Sequence, residues 1–250
     1  MGNKAIIITG ANGAIASVLT EEYLQEGYFV FALINKNRFR LTDLEEKYSH
    51  SLFTQACNLE DYKALEEAIK ELETKHGNVP DKLIHTAALR SSDFLPLTET
   101  DPVKWSSIIN SNIMATYNLL HILIPYYQKN KMGRIVLLGS NISRTGLKNG
   151  SAYAVSKGAL GNLVRTVTLE YGKDNILINV LSPGPVQADQ SHFPEAYRKF
   201  REEYFAKELR GTPLQKLVEP LDIFNACDFL LSDQNRLISG EEIFITGGKL

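Results

Sequence analysis

No stretch of this chain approaches the ~20 consecutive apolar residues that a membrane helix needs. The N-terminal apolar run, Ala5-Ile6-Ile7-Ile8, is too short for a signal peptide. Met1-Gly2 is followed by no Ser or Thr at the sixth place, so a myristoylation signal is missing as well. No membrane partner is expected. Cysteine is nearly absent: Cys57 and Cys227 stand alone, without metal-like spacing. That argues against a disulfide scaffold, predicts no bound metal and suits a reducing cytoplasm. Charge of one sign is missing too. Twenty-seven Lys and Arg balance 29 Asp and Glu, for a formal net charge of −2, so nothing in the charge points to a nucleic-acid partner. Linkers, repeats and low-complexity tracts are also lacking. What remains is 250 residues, 44% of them hydrophobic, enough for one large core in a single domain.

Short apolar runs alternate with helical patterns from end to end. Residues 5–8, 28–34, 52–54, 82–86, 134–138, 176–181 and 242–245 read as strands, several as buried runs. Between them, residues 14–26, 39–48, 61–76, 102–130, 151–172, 194–210 and 220–231 read as helices. Gly27 ends the first, and Pro125 is tolerated in or kinks the fourth. Regular alternation of this kind predicts an α/β fold. The expected form is a single doubly wound Rossmann-type domain over residues 1–250, with a mostly parallel sheet of about seven strands.

Thr9-Gly10-Ala11-Asn12-Gly13-Ala14-Ile15-Ala16 follows the first strand and opens the first helix. Glycine permits the tight turn, and N–H groups at the helix start suit a pyrophosphate. A plain strand-to-helix turn would use glycine as well. The second strand ends Leu33-Ile34-Asn35-Lys36-Asn37-Arg38, without the acid that meets a ribose 2′-hydroxyl in NAD sites. Lys36 and Arg38 suit a 2′-phosphate, or they solubilise the loop. The expected cofactor is NADP, with NAD kept open.

Tyr153 and Lys157 stand four residues apart on a predicted helix, so they share a face. An ammonium beside a phenol stabilises the phenolate and makes proton transfer possible well below the usual ~10. Ser140, thirteen residues before Tyr153, supplies a hydroxyl that could hold a substrate oxygen. A second Tyr-x-x-x-Lys occurs at Tyr127 and Lys131. It has Met114 where a serine would stand, runs into Met132-Gly133, and is expected to be a solvated helix end.

With these pieces in order, the whole chain resembles the short-chain dehydrogenase/reductase family in its compact form. The family's phosphate loop falls on residues 9–16 and its adenine-side Asp on Asn58, beside Leu59. Its Asn-Asn-Ala-Gly falls on His85-Thr86-Ala87-Ala88, and its Asn-x-x-x-Pro-Gly on Asn179, Pro183 and Gly184. Its catalytic Asn, Ser, Tyr and Lys fall on Asn112, Ser140, Tyr153 and Lys157. The resemblance implies Tyr153 as acid/base and Ser140 as the residue that orients the substrate oxygen. Lys157 would hold the nicotinamide ribose and tune Tyr153, and Asn112 would position a water linking Lys157 to solvent. Cofactor contacts are implied at Gly10, Asn12, Gly13, Ile15, Asn35, Lys36, Arg38, Asn58, Leu59, Ala87, Tyr153, Lys157, Pro183 and Val186. Ala14 and Ala16 replace two family glycines, and Ala188 a frequent threonine. His85 is expected to be a packed strand-end histidine.

The segment at about 185–212 is polar and aromatic, with His192, Tyr197, Arg198, Arg201 and Tyr204. It reads as a substrate cover or as an amphipathic helix with solvated charges. The implied activity is hydride transfer between NAD(P) and a carbonyl/alcohol pair of a small molecule, with a polar, sugar-like compound as one candidate. Two alternatives are a nucleotide-sugar epimerase or dehydratase and a cofactor-sensing protein without chemistry. A homodimer or homotetramer is expected through the 102–130 and 151–172 helices. Leu160, Leu163, Val164 and Val167 give the latter more apolar surface than one stripe needs.

Overall fold

A computed structural model describes residues 4–90 and 94–249; the Met1-Gly2 reading lies outside them. Seven strands form one parallel sheet. They are β1 Ala5–Thr9, β2 Phe29–Ile34, β3 Leu52–Ala56, β4 Lys82–His85, β5 Gly133–Leu138, β6 Ile176–Pro183 and β7 Glu242–Ile245. Their order is β3-β2-β1-β4-β5-β6-β7. Nine α-helical segments lie between them among the described residues: α1 Ala16–Gln25, α2 Thr42–Lys47, α3 Tyr62–His76, α4 Pro102–Ile109, α5 Ala115–Asn130, α6 Ile142–Thr145, α7 Ser151–Tyr171, α8 Glu195–Arg210 and α9 Pro220–Leu231.

Side chains alternate across a strand, and both faces of this sheet are covered. Ile6 and Ile8 pack with Leu19 and Tyr23 of α1 and Ile223 and Cys227 of α9. Ile7 points the other way, into a core with Leu65 and Ile69 of α3, Leu119 of α5 and Val164 of α7. All three isoleucines are fully buried, which is why the strand reads as an unbroken apolar run. The strand order reverses between β1 and β4, and a doubly wound sheet opens its ligand crevice at such a reversal.

Several expected boundaries move. α1 starts at Ala16 and α2 covers only Thr42–Lys47. The expected helix over residues 102–130 is continuous but irregular. Asp101 caps it by accepting the Val103 N–H, and a π-helical turn, Asn110–Met114, separates α4 from α5. Such a bulge adds a residue to one turn and rotates the facing of α5 relative to α4. Pro125 sits inside α5 without ending it.

Two expectations are corrected. Tyr127 is not at a solvated helix end: its ring is fully buried. The chain turns back at Gly133, where an added Cβ would stand 2.9 Å from the Tyr127 ring. Only Lys131 is exposed; it adopts a left-handed conformation and pairs with Asp174. Leu160, Val164 and Val167 are likewise buried in the chain's own core, with Leu163 packed against it. They face β6 rather than a partner, so one stripe accounts for them. Val155 and Leu169 are the exposed large apolar residues of α7.

Burial pushes the Tyr127 phenol above its ordinary range, and its Oη has no hydrogen-bond partner among the described residues. A buried unmatched hydroxyl costs about 1–3 kcal/mol. Tyr127→Phe should therefore leave stability unchanged or raise it by about 1 kcal/mol, with turnover intact. A denaturant midpoint clearly below that of the wild type would show a hidden partner for the hydroxyl.

Candidate active site

The phosphate loop begins where β1 runs out. Gly10 has φ +66°, and a Cβ there would stand 2.9 Å from the Ala87 backbone and from Thr86 Oγ1. Only glycine meets both demands. The Gly13 N–H turns back to the Gly10 carbonyl at 2.8 Å. The N–H groups of Asn12, Ala14 and Ile15 have no backbone acceptor among the described residues. Ile15, at the helix start, has no side-chain cap. Unmatched N–H groups at a helix start are what a pyrophosphate fits. Ala16 is buried in the core with Ala11, so its methyl takes up core space and not space above the loop.

Beside the loop lies a cavity of about 250 Å³. Gly10, Asn35, Asn58, Leu59 and Ala87 line it, with Ser111 at the start of the bulge. Five expected cofactor residues thus share one crevice at the β1/β4 reversal. A mostly apolar cleft with a few polar groups suits the adenosine half of a dinucleotide. Together with the orphan N–H groups, it fits a nicotinamide dinucleotide.

The basic residues at the end of β2 divide differently from expectation. Lys36 is exposed, and the exposed Arg38 lies 3.7 Å from the half-buried Glu45. Arg40 is the base that reaches the phosphate loop. Its N–H donates to Asn12 Oδ1 at 2.8 Å and its Nη1 to the Asn12 carbonyl at 3.4 Å. Its Nη2 lies 3.5 Å from Asp189, in the segment after β6. Phe39 meets His192 in that same segment, with ring centroids 4.2 Å apart. Nothing in the local sequence marks Arg40, because its reach depends on how the loop before α2 is folded.

Tyr153 and Lys157 occupy the first turns of α7. The Lys157 Nζ lies 5.8 Å from the Tyr153 ring centre. Lys157 is buried, and its ammonium donates to the Leu138 carbonyl at the end of β5, at 2.6 Å. Burial, with the Arg90 charge second, lowers its pKa to about 8. Ser140 is half-buried just past the same strand end, its Oγ 3.5 Å from the Ile142 N–H.

Asn112 sits buried in the π-helical turn. Its Oδ1 accepts the Leu89 N–H at 2.7 Å, and its Nδ2 donates to the Leu89 carbonyl and to Ser156 Oγ, at 3.0 and 2.8 Å. Ser156 in turn donates to the Tyr153 carbonyl at 2.8 Å. Asn112 is thereby tied both to the loop after β4 and to α7. Ser156 was not expected from sequence; its signal is a polar residue on the inward face of α7. Pro183 ends β6 on the same sheet edge, and its carbonyl accepts the Asn141 N–H at 2.9 Å. Val186 bridges to Val218. His85 is buried and hydrogen-bonded on both ring nitrogens.

Two further cations lie on segments outside this centre, Arg90 on the loop after β4 and Arg201 on α8. Arg201, on α8, lies over the rings of Phe205 and Tyr204 at 4.3 and 5.2 Å. Burial lowers its pKa, and the Arg90 charge adds to that. The Arg90 charge also acts on Lys157. Among the described residues no cluster of metal-ligating side chains occurs, and no helix is long and apolar enough to cross a membrane.

A buried ammonium is costly. Lys157→Met should raise stability at pH 7, by up to about 3 kcal/mol, while turnover is lost. The folded-state pKa of about 8 lies below the ordinary 10.5, so the unfolded chain binds more protons in that window. Wild-type stability should then rise between pH 8 and 10.5, and the gap to the variant should close. Equal denaturant midpoints at pH 7, or a gap that widens above pH 8, would contradict this.

Comparison with known proteins gives the same answer as the geometry. A family model described as enoyl-(acyl carrier protein) reductase matches residues 10–249. The 3-oxoacyl-[acyl-carrier-protein] reductase FabG of Thermotoga maritima is 26% identical over 249 residues, covering 98% of this chain and 97% of that one. Among solved structures, a 4-hydroxyisoleucine dehydrogenase complexed with NADH is 28% identical, with TM-score 0.87 and 98% of each chain covered. ElxO with NADP bound is 25% identical, with TM-score 0.85, covering 99% of this chain and 98% of that one. The chain belongs to the short-chain dehydrogenase/reductase family and is an NAD(P)-dependent oxidoreductase.

Proposed function

We propose that this enzyme moves a hydride between NADP(H) and the carbonyl/secondary alcohol of a polar, anionic small molecule, with Tyr153 as the acid/base. One observation carries the reading: on α7, Tyr153 stands beside a buried Lys157 ammonium held 2.6 Å from the Leu138 carbonyl. The bound nicotinamide supplies or takes the hydride. In reduction the Tyr153 hydroxyl gives its proton to the carbonyl oxygen, and in oxidation the phenolate takes it back. Lys157 stands one turn further along α7, its ammonium fixed by the Leu138 carbonyl. Ser140 donates a hydrogen bond to the reacting oxygen. Asn112 acts from the buried side, through Ser156 and Leu89, keeping α7 and the loop after β4 in register.

Arg201, half-buried on α8 within the proposed substrate cover, and Arg90, on the loop after β4, support an anionic group on the substrate. A sugar phosphate and a 3-oxoacyl group on a phosphorylated carrier both belong to that class; the second is what the Thermotoga maritima relative's name indicates. Residues 185–212, with α8, are the proposed substrate cover. Lys36 and Arg38, with Arg40 at the phosphate loop, support NADP over NAD. Cys57 and Cys227, buried and unpaired, support a cytoplasmic setting.

Tyr153→Phe should keep NADPH binding and lose turnover by ~10²–10⁴. Nicotinamide fluorescence should show NADPH binding more tightly than NADH, with the margin reduced in Arg40→Ala. Near-normal turnover in Tyr153→Phe would remove Tyr153 as the acid/base, and equal affinities would remove the NADP assignment. Anionic carbonyl compounds should exceed neutral analogues in kcat/KM, and Arg201→Ala should erase the difference.

A homodimer or homotetramer through α4–α5 and α7 is proposed on their exposed apolar residues Val103, Met114, Tyr117, Val155 and Leu169. Light scattering at micromolar protein should give a multiple of 28.0 kDa; the monomer mass would refute the assembly.

A further inference from the structure

His85, 3% exposed, has no part in the proton and hydride transfers assigned to Tyr153 and the nicotinamide. Its Nδ1 lies 2.7 Å from Thr9 Oγ1 and its Nε2 lies 2.9 Å from Thr116 Oγ1. Thr116 Oγ1 donates to the Asn112 carbonyl at 2.6 Å. With a neutral ring, these three contacts fix every proton in the chain. A carbonyl oxygen only accepts, so the single Thr116 hydroxyl proton goes to Asn112. Thr116 then accepts from Nε2, which must carry hydrogen. Burial, followed by the Lys157 charge, lowers the His85 pKa to about 3, so the ring is neutral and Nδ1 is an acceptor. Thr9 therefore donates to it. Donation runs one way, from Thr9 through His85 and Thr116 to the Asn112 carbonyl.

Both ends of this chain belong to the site. Thr9 closes β1, immediately before Gly10 of the phosphate loop, and its own carbonyl accepts the Thr86 hydroxyl at 2.7 Å. Asn112 lies in the π-helical turn, and the Thr116 hydroxyl bonds back onto its carbonyl one turn earlier. Its side chain is already committed to Leu89 and Ser156.

We propose that His85 is a positioning residue for the reaction. Held by Thr9 as the Nε2–H tautomer, it aligns Thr116 on the Asn112 carbonyl and so fixes the turn that links Asn112 to the helix bearing Tyr153 and Lys157. The assignment rests on the reading of Tyr153 as the acid/base. Its structural half, the tautomer, can be measured without any substrate.

Long-range ¹H–¹⁵N correlation on ¹⁵N-histidine-labelled wild type should show one ring as a pH-invariant neutral Nε2–H tautomer from about pH 5 to 9. That signal should be missing in His85→Gln. An Nδ1–H tautomer, or a ring that becomes charged in this range, overturns the proposal. Thr116→Val keeps the shape and removes the hydroxyl. It should lower kcat by roughly tenfold with little change in NADPH affinity, and Thr116→Ser should restore the rate. A Thr116→Val enzyme with wild-type kcat, while Tyr153→Phe is inactive, sinks the role of His85 and leaves the catalytic reading standing. An active Tyr153→Phe enzyme sinks the catalytic reading instead.

Discussion

A parallel sheet ends in a row of strand-terminal carbonyls with no further strand to pair them, and the crevice of this enzyme is built along that edge. Each terminal group needs a partner, because a buried carbonyl without one is costly. The partners here are largely the functional side chains and loops themselves. Thr86 serves Thr9 at the end of β1, Lys157 serves Leu138 at the end of β5, and the Asn141 N–H serves Pro183 at the end of β6. The Cys57 N–H serves Ile34 at the end of β2. Folding and site assembly are therefore one process on this edge. The lysine is held by a carbonyl that the sheet would otherwise leave exposed.

That arrangement explains how an ammonium is kept inside a protein of slightly negative net charge. Lys157 is buried, and the Arg90 charge acts on it from the loop after β4. Mutual repulsion and burial both weaken the hold on its proton. A residue in that state is a poor contributor to stability and a good one to proton transfer. The surface charges, by contrast, form ordinary exposed pairs such as Lys70–Glu66 and Lys199–Glu195, which add little.

Much of this was legible in the residues. Ile6-Ile7-Ile8 announced a strand covered on both faces, and Gly10 announced the turn after it. Tyr153, Lys157, Ser140 and Asn112 stood on elements whose ends the alternation had already located. What escaped sequence reading has physical causes. One extra residue in a helical turn leaves no mark in a 3.6 period, so the π-helical turn at Asn112 was read as regular helix. Tyr127 borders Met132-Gly133, which signals a helix end. Burial there depends on the chain folding back over the ring at Gly133, a tertiary event. Periodicity gave Leu160, Val164 and Val167 a common face without saying which surface covers it. Arg40 lies on a loop whose path is set by contacts with Asn12 and Asp189, far apart in sequence.

Gly10 carries a consequence for descent. The place where its Cβ would stand is filled by the Ala87 backbone and the Thr86 hydroxyl. The first turn of the chain and the loop after the fourth strand are thus two halves of one wall, separated by 77 positions. Neither half can drift alone. Any lineage that thickens the wall at position 10 must first move the backbone at 87, and that loop also carries Leu89, the anchor of Asn112. The loop around Gly10 and the π-helical turn are thus mechanically joined through one segment, residues 86–89.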